Sequence, residues 1–135
     1  MKKFISIIFV VFFFFNNVSA EERESKLNIL FTQLKDSEAS KAIEIEKKIL
    51  KIWETHPSND RKGNRLTALL AQGTFMIATE KLDRAYEIFT QIILADPNWS
   101  EAWNKRATVL YLLGRYQQSQ TDINKVLKLE KRHFG

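Results

Sequence analysis

The chain contains no cysteine, only two prolines and only four glycines. Without cysteine there is no disulfide framework, no thiolate metal site, no thiol nucleophile and no lipid attachment at a processed cysteine. Stability must come from packing. Pro57 and Pro97 leave long stretches uninterrupted, and no stretch alternates apolar and polar residues for long enough to make a strand. Histidine is scarce as well. His56 and His133 stand far apart, each near the end of an expected helix and away from a second metal ligand, so both read as solvated helix-end residues. No glycine-rich phosphate loop follows a strand, and no nucleophile can be paired with a base. The expectation is a protein that is not an enzyme and holds no metal or cofactor.

Long hydrophobic runs occur in one place only. Lys2 and Lys3 precede Phe4–Phe15, a run that is apolar except for Ser6, and Asn16-Asn17-Val18-Ser19-Ala20 follows it. Val18 and Ala20 have the small-residue spacing of a signal-peptidase site. A helix over that run would rise about 18 Å, short of a hydrocarbon core of roughly 30 Å. Residues 1–20 are therefore expected to be a secretory signal peptide cut after Ala20, and the protein to be exported, to the periplasm. The alternative is an uncleaved anchor that makes the protein a membrane-tethered accessory subunit. All 16 acidic residues lie after Ala20 with all but Lys2 and Lys3 of the 21 basic ones, so the net charge there is +3 rather than +5. That mild, unclustered excess does not suit nucleic-acid binding.

After Ala20 the spacing is helical throughout. Lys26–Lys35 carries Leu27, Leu30, Phe31 and Leu34, with Asp36 and Ser37 placed to cap the next helix. Glu38 to Thr55 puts Ala42, Ile45, Ile49 and Ile52 on one stripe, widened by Ala39, Ile43, Leu50 and Trp53. Its other face carries a favourable Glu44–Lys48 pair and a solvated run of Glu and Lys to Lys51. Residues 21–57 thus form an N-terminal helical pair, ended by Pro57, and 58–63 reads as a polar linker.

From residue 64 the chain repeats itself. At an offset of 34, residues 66–99 and 100–133 align Leu69 with Trp103, Gly73 with Ala107, Met76 with Leu110 and Leu82 with Tyr116. Ala85 meets Ser119, Phe89 meets Ile123, and Ile92 meets Val126. Asn64 and Asn98, also 34 apart, stand where N-caps belong. Small matches small and large matches large. This period with these residue classes resembles the tetratricopeptide repeat, with the second copy the better match and Glu80 standing in the first where the family favours a turn glycine. The resemblance implies an all-α fold of antiparallel helix-turn-helix units stacked as a short solenoid. Glu80-Lys81 and Gly114-Arg115 would be the tight turns, and Asn98-Trp99-Ser100-Glu101 a capping box for the second unit.

In Ala102–Ser119 the packing positions are Trp103, Ala107, Leu110, Leu113 and Tyr116. Trp53 and Trp99 are core positions as well. The resemblance implies a concave groove lined by the first helix of each unit. Its residues would be Thr67, Leu70, Ala71, Thr74, Ile77 and Ala78 in one copy, and Glu101, Asn104, Lys105, Thr108, Tyr111 and Leu112 in the other. Such a groove takes an extended peptide or a partner helix, which implies an interaction module or scaffold with an envelope protein as partner. A carboxylate clamp does not fit, because Leu70 and Thr74 stand at the positions of its leading Lys and Asn. Asn104-Lys105-Arg106 reads as solvated helix surface. After the second unit no cap is evident, and Ile123, Val126 and Leu127 are expected to be exposed there. A homodimer through that face is the alternative to groove binding, and truncation of the sequence at Gly135 would account for the same feature.

Overall fold

A computed structural model describes residues 20–134. Six helices and no strand are present among the described residues: α1 (20–35), α2 (Ala39–Trp53), α3 (Arg61–Ala78), α4 (Leu82–Ala95), α5 (Ser100–Leu112) and α6 (Tyr116–Leu129). Residues through Ile52 form one compact unit and residues from Trp53 onward another. The expected signal peptide lies outside the described residues apart from Ala20.

In the first unit, Leu27 of α1 and Ile45 and Ile49 of α2 are buried, as their helical spacing requires. Ile43, expected to widen that stripe, is instead 55% exposed. The i,i+4 pairs Glu22–Lys26 and Glu44–Lys48 both close at 2.7 Å on exposed faces. Ser37 donates its hydroxyl to the Leu34 carbonyl at 3.0 Å, so it finishes α1 rather than starting α2.

In the second unit, α3, α4, α5 and α6 pack each against the next, and α3 also touches α5. Leu66, Leu70, Ala85, Ile88, Phe89, Ile92, Ile93, Trp99, Ala102 and Val109 form one buried cluster. The Trp99 ring, 2% exposed, is wholly core and donates its indole N–H to the Trp53 carbonyl at 2.9 Å. Gly73 lets α3 approach α4: a Cβ there would lie 2.6 Å from the Phe89 ring. In the second pair Ala107 and Ser119 meet, and the Ser119 hydroxyl donates to the Ala107 carbonyl at 2.8 Å.

The two helix pairs turn in the same way. Gly114 has φ +72°, and the Arg115 and Gly114 N–H groups donate to the Leu110 and Tyr111 carbonyls. Glu80 has φ +58°, and the Lys81 and Glu80 N–H groups donate to Met76 and Ile77 in the same pattern. Left-handed backbone costs an ordinary residue about 1–2 kcal/mol. Glu80→Gly is therefore expected to stabilise the protein by about 1 kcal/mol, read as a higher urea midpoint with an unchanged slope.

Helix starts differ from the sequence expectation. α3 begins at Arg61, inside the expected linker, because the Asp60 carboxylate accepts the Gly63 N–H at 2.7 Å and caps it. Asn64 is consequently helical and caps nothing. At α5 the N-cap is Trp99, with no side-chain cap, and Glu101 turns into the structure instead of completing a capping box. The Asp60 carboxyl is held below its ordinary value of 3.8, first by the Gly63 N–H and then by Ser58. A lowered folded value means that this contribution is present above the unfolded pKa and lost as pH falls through the folded one. Asp60→Asn keeps a capping oxygen without the titration, so it should flatten the acid limb of stability below about pH 4. Urea midpoints at neutral and acid pH measure this.

Candidate partner-binding groove

The first helices of the two repeats, α3 and α5, carry the proposed groove. α5 lies between α4 and α6, so its buried residues face two ways: Ala102 and Val109 join the α3–α4 core, while Ala107 meets α6. A helix enclosed in this manner also buries its polar residues, and these must find partners.

They find them within the chain. Glu101 is fully buried; its carboxylate lies 2.8 Å from His133 Nε2 and 3.4 Å from Lys105 Nζ, and accepts from the Asn104 amide at 3.3 Å. Lys105 reaches Glu54 at 2.8 Å as well. Burial disfavours the Lys105 charge, but the Glu54 hydrogen bond and the fields of Glu101 and Glu54 outweigh it and raise the pKa above that of a free lysine. The His133 ring stacks on Trp53 with centroids 4.1 Å apart and planes at 12°, and Phe134 tilts against the same indole at 5.0 Å. Residues after α6 thus return to the polar centre of α5.

On the flank of α5, Arg106 grips Asp122 with two bonds, Nε to Oδ2 at 2.7 Å and a terminal nitrogen to Oδ1 at 2.9 Å. It also reaches the Thr90 hydroxyl at 3.3 Å. Its guanidinium lies 4.9 Å from the Trp103 ring centroid and 5.8 Å from that of Tyr86. The Asp122 hydrogen bond raises the Arg106 pKa further against the opposing effect of burial. A cleft of about 210 Å³ opens beside the pair, between Tyr86, Leu110, Gln118 and Thr121. The charges lining it are those of Arg106 and Asp122, which already hold each other.

Asn104-Lys105-Arg106 is therefore not a solvated surface. Two expected groove residues are also closed off: Leu70 is 2% exposed within the core and Glu101 is sealed by its ion pairs, so neither can meet a partner directly. Thr67 is half-buried, accepts the His56 N–H at 2.9 Å and donates to the Gly63 carbonyl at 3.1 Å. Thr74 is half-buried and Ile77 packs against the core edge. Thr108 and Tyr111 are exposed, Tyr111 by 63%, and Leu112 extends the strip at 51%. The exposed members of the expected groove set are thus Ala71 and Ala78 on α3 and Thr108, Tyr111 and Leu112 on α5.

No family model matches the chain. Over 126 residues it is 32% identical to a TPR repeat-containing protein of Rhizobium etli, across 88% of this chain and 59% of that protein. The chain is a relative of a TPR repeat-containing protein. That supports the tetratricopeptide-repeat family, and the chain spans 59% of the relative's length. Among solved structures, the second TPR of Spaghetti (RPAP3) bound to HSP90 peptide SRMEEVD is 21% identical, with a TM-score of 0.47 over 85% of this chain and 92% of that one.

Both histidines are buried side chains rather than solvated ends. His56 Nδ1 lies 3.0 Å from the Ser58 backbone nitrogen and 3.3 Å from the Ser58 carbonyl oxygen, and Nε2 lies 2.8 Å from an Asp96 carboxylate oxygen. This bond joins the loop before α3 to the loop before α5. Among the described residues, no group of three or more His, Asp or Glu is placed to hold a metal ion. One signal for the Arg106–Asp122 pair was readable in the sequence. Asp122 stands 34 residues after Ile88, a charge at a position the first repeat fills with a buried aliphatic.

Proposed function

We propose that this is a non-catalytic tetratricopeptide-repeat protein of the cell envelope, exported with cleavage after Ala20, that holds a peptide or helix of another envelope protein along α3 and α5. The observation that carries the reading is the open strip Thr108-Tyr111-Leu112 on α5, a helix whose Glu101, Lys105 and Arg106 are already paired. Lys105 is held by two carboxylates, so an incoming C-terminal carboxylate would have to displace them. Contact is therefore made by burying aromatic and aliphatic surface, with Tyr111 as the anchor.

Tyr111→Ser with Leu112→Ser in the full chain tests this. Both positions are exposed, so the melting temperature should hold while affinity for the co-purified partner falls at least about tenfold. Retention of that partner at full affinity would contradict groove binding. The mass of the exported protein tests the location: a species starting at Glu21 in the periplasmic fraction is expected. An intact N-terminus in the membrane fraction would replace export by a membrane tether.

A further inference from the structure

Both histidines of the chain lie at the end of the helix pairs where α3 and α5 begin, and each bonds a carboxylate there. The turns that follow α4 and α6, 34 residues apart, are built alike. In the first, Asp96 accepts the Asn98 N–H on its carboxylate at 2.9 Å and the Trp99 N–H on its carbonyl at 3.4 Å. In the second, Glu130 accepts the Arg132 and His133 N–H groups in the same way, at 3.0 and 3.2 Å. The second turn leaves a fixed helix, since α6 packs on α5 and Val126, expected to be open, is 3% exposed. The first turn delivers an indole into the core. The second delivers an imidazole to Glu101 at 2.8 Å, with side chains 2% and 1% exposed. His56, from the loop before α3, meets Asp96, in the loop before α5, at the same 2.8 Å.

The surroundings of each ring are short of positive charge. His56 faces Asp96, with the Asp60 charge also within its field; Lys62, bound to the Ala95 carbonyl, is the cation beside them. His133 faces Glu101, with Glu130 on its own turn and Glu54 across Lys105; the cations there are Lys105 and Arg132. In each corner these carboxylates outnumber the cations by one until the ring takes a second proton. Burial opposes that proton, and the carboxylate in contact favours it. The His56 ring needs no movement to change state. Its Nδ1 lies 3.0 Å from the Ser58 nitrogen and 3.3 Å from the Ser58 carbonyl oxygen, so it can accept from one when neutral and donate to the other when charged. The Trp99–Trp53 bond crosses the same end without titrating, and Lys105, with its pKa above that of a free lysine, stays charged. At the opposite end, the turns at Glu80 and Gly114 are closed by backbone hydrogen bonds.

We propose that the two histidine–carboxylate bonds form a pH-sensitive clasp, tightest below neutral pH, that holds together the ends at which α3 and α5 begin. Histidine changes charge between pH 5 and 8, where aspartate and glutamate ordinarily stay ionised. The clasp thereby ties the spacing of α3 and α5 to pH. Its consequence for a bound partner rests on the groove reading above; the clasp itself does not.

Urea unfolding of the full chain at about pH 5.5 and about pH 8, on either side of the histidine range, is the first test. A folded chain that holds these protons more tightly than the unfolded one loses stability as pH rises. The urea midpoint should therefore drop by about 0.5 M or more. His56→Gln and His133→Gln keep a hydrogen-bonding side chain without the titration; each should remove part of the drop, and the two together should abolish it. In case glutamine at a buried site unfolds the chain, imidazole nitrogen NMR of the parent gives a second reading. Both rings should lose their proton at a higher pH in the folded chain than in concentrated urea. The chain has no cysteine, so spin labels on Asn59→Cys and Asn98→Cys, both exposed, report the spacing directly. Their distance distribution should broaden at the higher pH in the parent and stay unchanged with His56→Gln. The clasp is overturned by equal midpoints at the two pH values, by a drop that survives the double variant, or by rings that titrate alike folded and unfolded. Label distances indifferent to pH would overturn its hold on α3 and α5.

Discussion

Asp122→Ala should cost about 3 kcal/mol of stability, the lower end of the range for removing one partner of a buried ion pair. The loss leaves the Arg106 guanidinium without its two charged bonds, in a side chain only 15% exposed and enclosed by Trp103, Tyr86 and Thr90. The remaining exposure gives the charge a route to water and keeps the cost from reaching the upper end. The first repeat supplies the control. Its residues at the positions of Arg106 and Asp122 are Gln72 and Ile88, and Ile88 is 5% exposed. Arg106→Gln with Asp122→Ile copies that solution and should recover most of the loss. Urea midpoints for Arg106→Gln, Asp122→Ile, the double variant and the parent then give an interaction energy of roughly 2 kcal/mol or more. A cost below about 1 kcal/mol for Asp122→Ala would mean that the pair is solvated.

Gly63→Ala is expected to be nearly as damaging. A Cβ there would stand 1.8 Å from the Ser58 carbonyl oxygen and 2.8 Å from His56 Nδ1. Neither neighbour is free to yield. The His56 N–H is tied to Thr67, its ring bridges Ser58 and Asp96, and the Gly63 N–H itself is bound to Asp60. Overpacking costs about 1–3 kcal/mol, and displacing this loop also loses hydrogen bonds worth about 1 kcal/mol each. Alanine returns about 1 kcal/mol in helix propensity, so a net loss of about 2–3 kcal/mol is expected. Gly114→Ala separates steric overlap from backbone conformation. A Cβ on Gly114 meets nothing within 4 Å, so only its φ of +72° is penalised, at about 1 kcal/mol. Equal urea midpoints for the two variants would contradict the close approach at Gly63.

Periodicity made the helices and their pairing legible. Leu69 with Trp103 and Gly73 with Ala107 recur in size class because each must fill or vacate the same space in its helix pair. The turns at Glu80 and Gly114 were readable for the same reason. Polar partners were not legible, because a buried carboxylate looks like a solvated one until the fold brings its cation close. His56 meets Asp96 across 40 residues, and His133 meets Glu101 across 32. Glu54 and Asp122 likewise turned a supposed solvated triplet into structure, His133 closed Glu101 off from the expected groove, and Leu70 is closed off by the apolar core. Helix α3 started early because Asp60, not Asn64, had Gly63 within reach.

Groove binding stands or falls on where a partner touches. A photo-crosslinking residue placed at Tyr111 in the full chain, and in a second strain at the 80% exposed Leu94 of α4, compares the groove with an outer surface. Crosslinking in intact cells should join the Tyr111 protein to a discrete envelope partner and leave the Leu94 protein unjoined. A partner captured from Leu94 and not from Tyr111 would contradict a groove formed by α3 and α5.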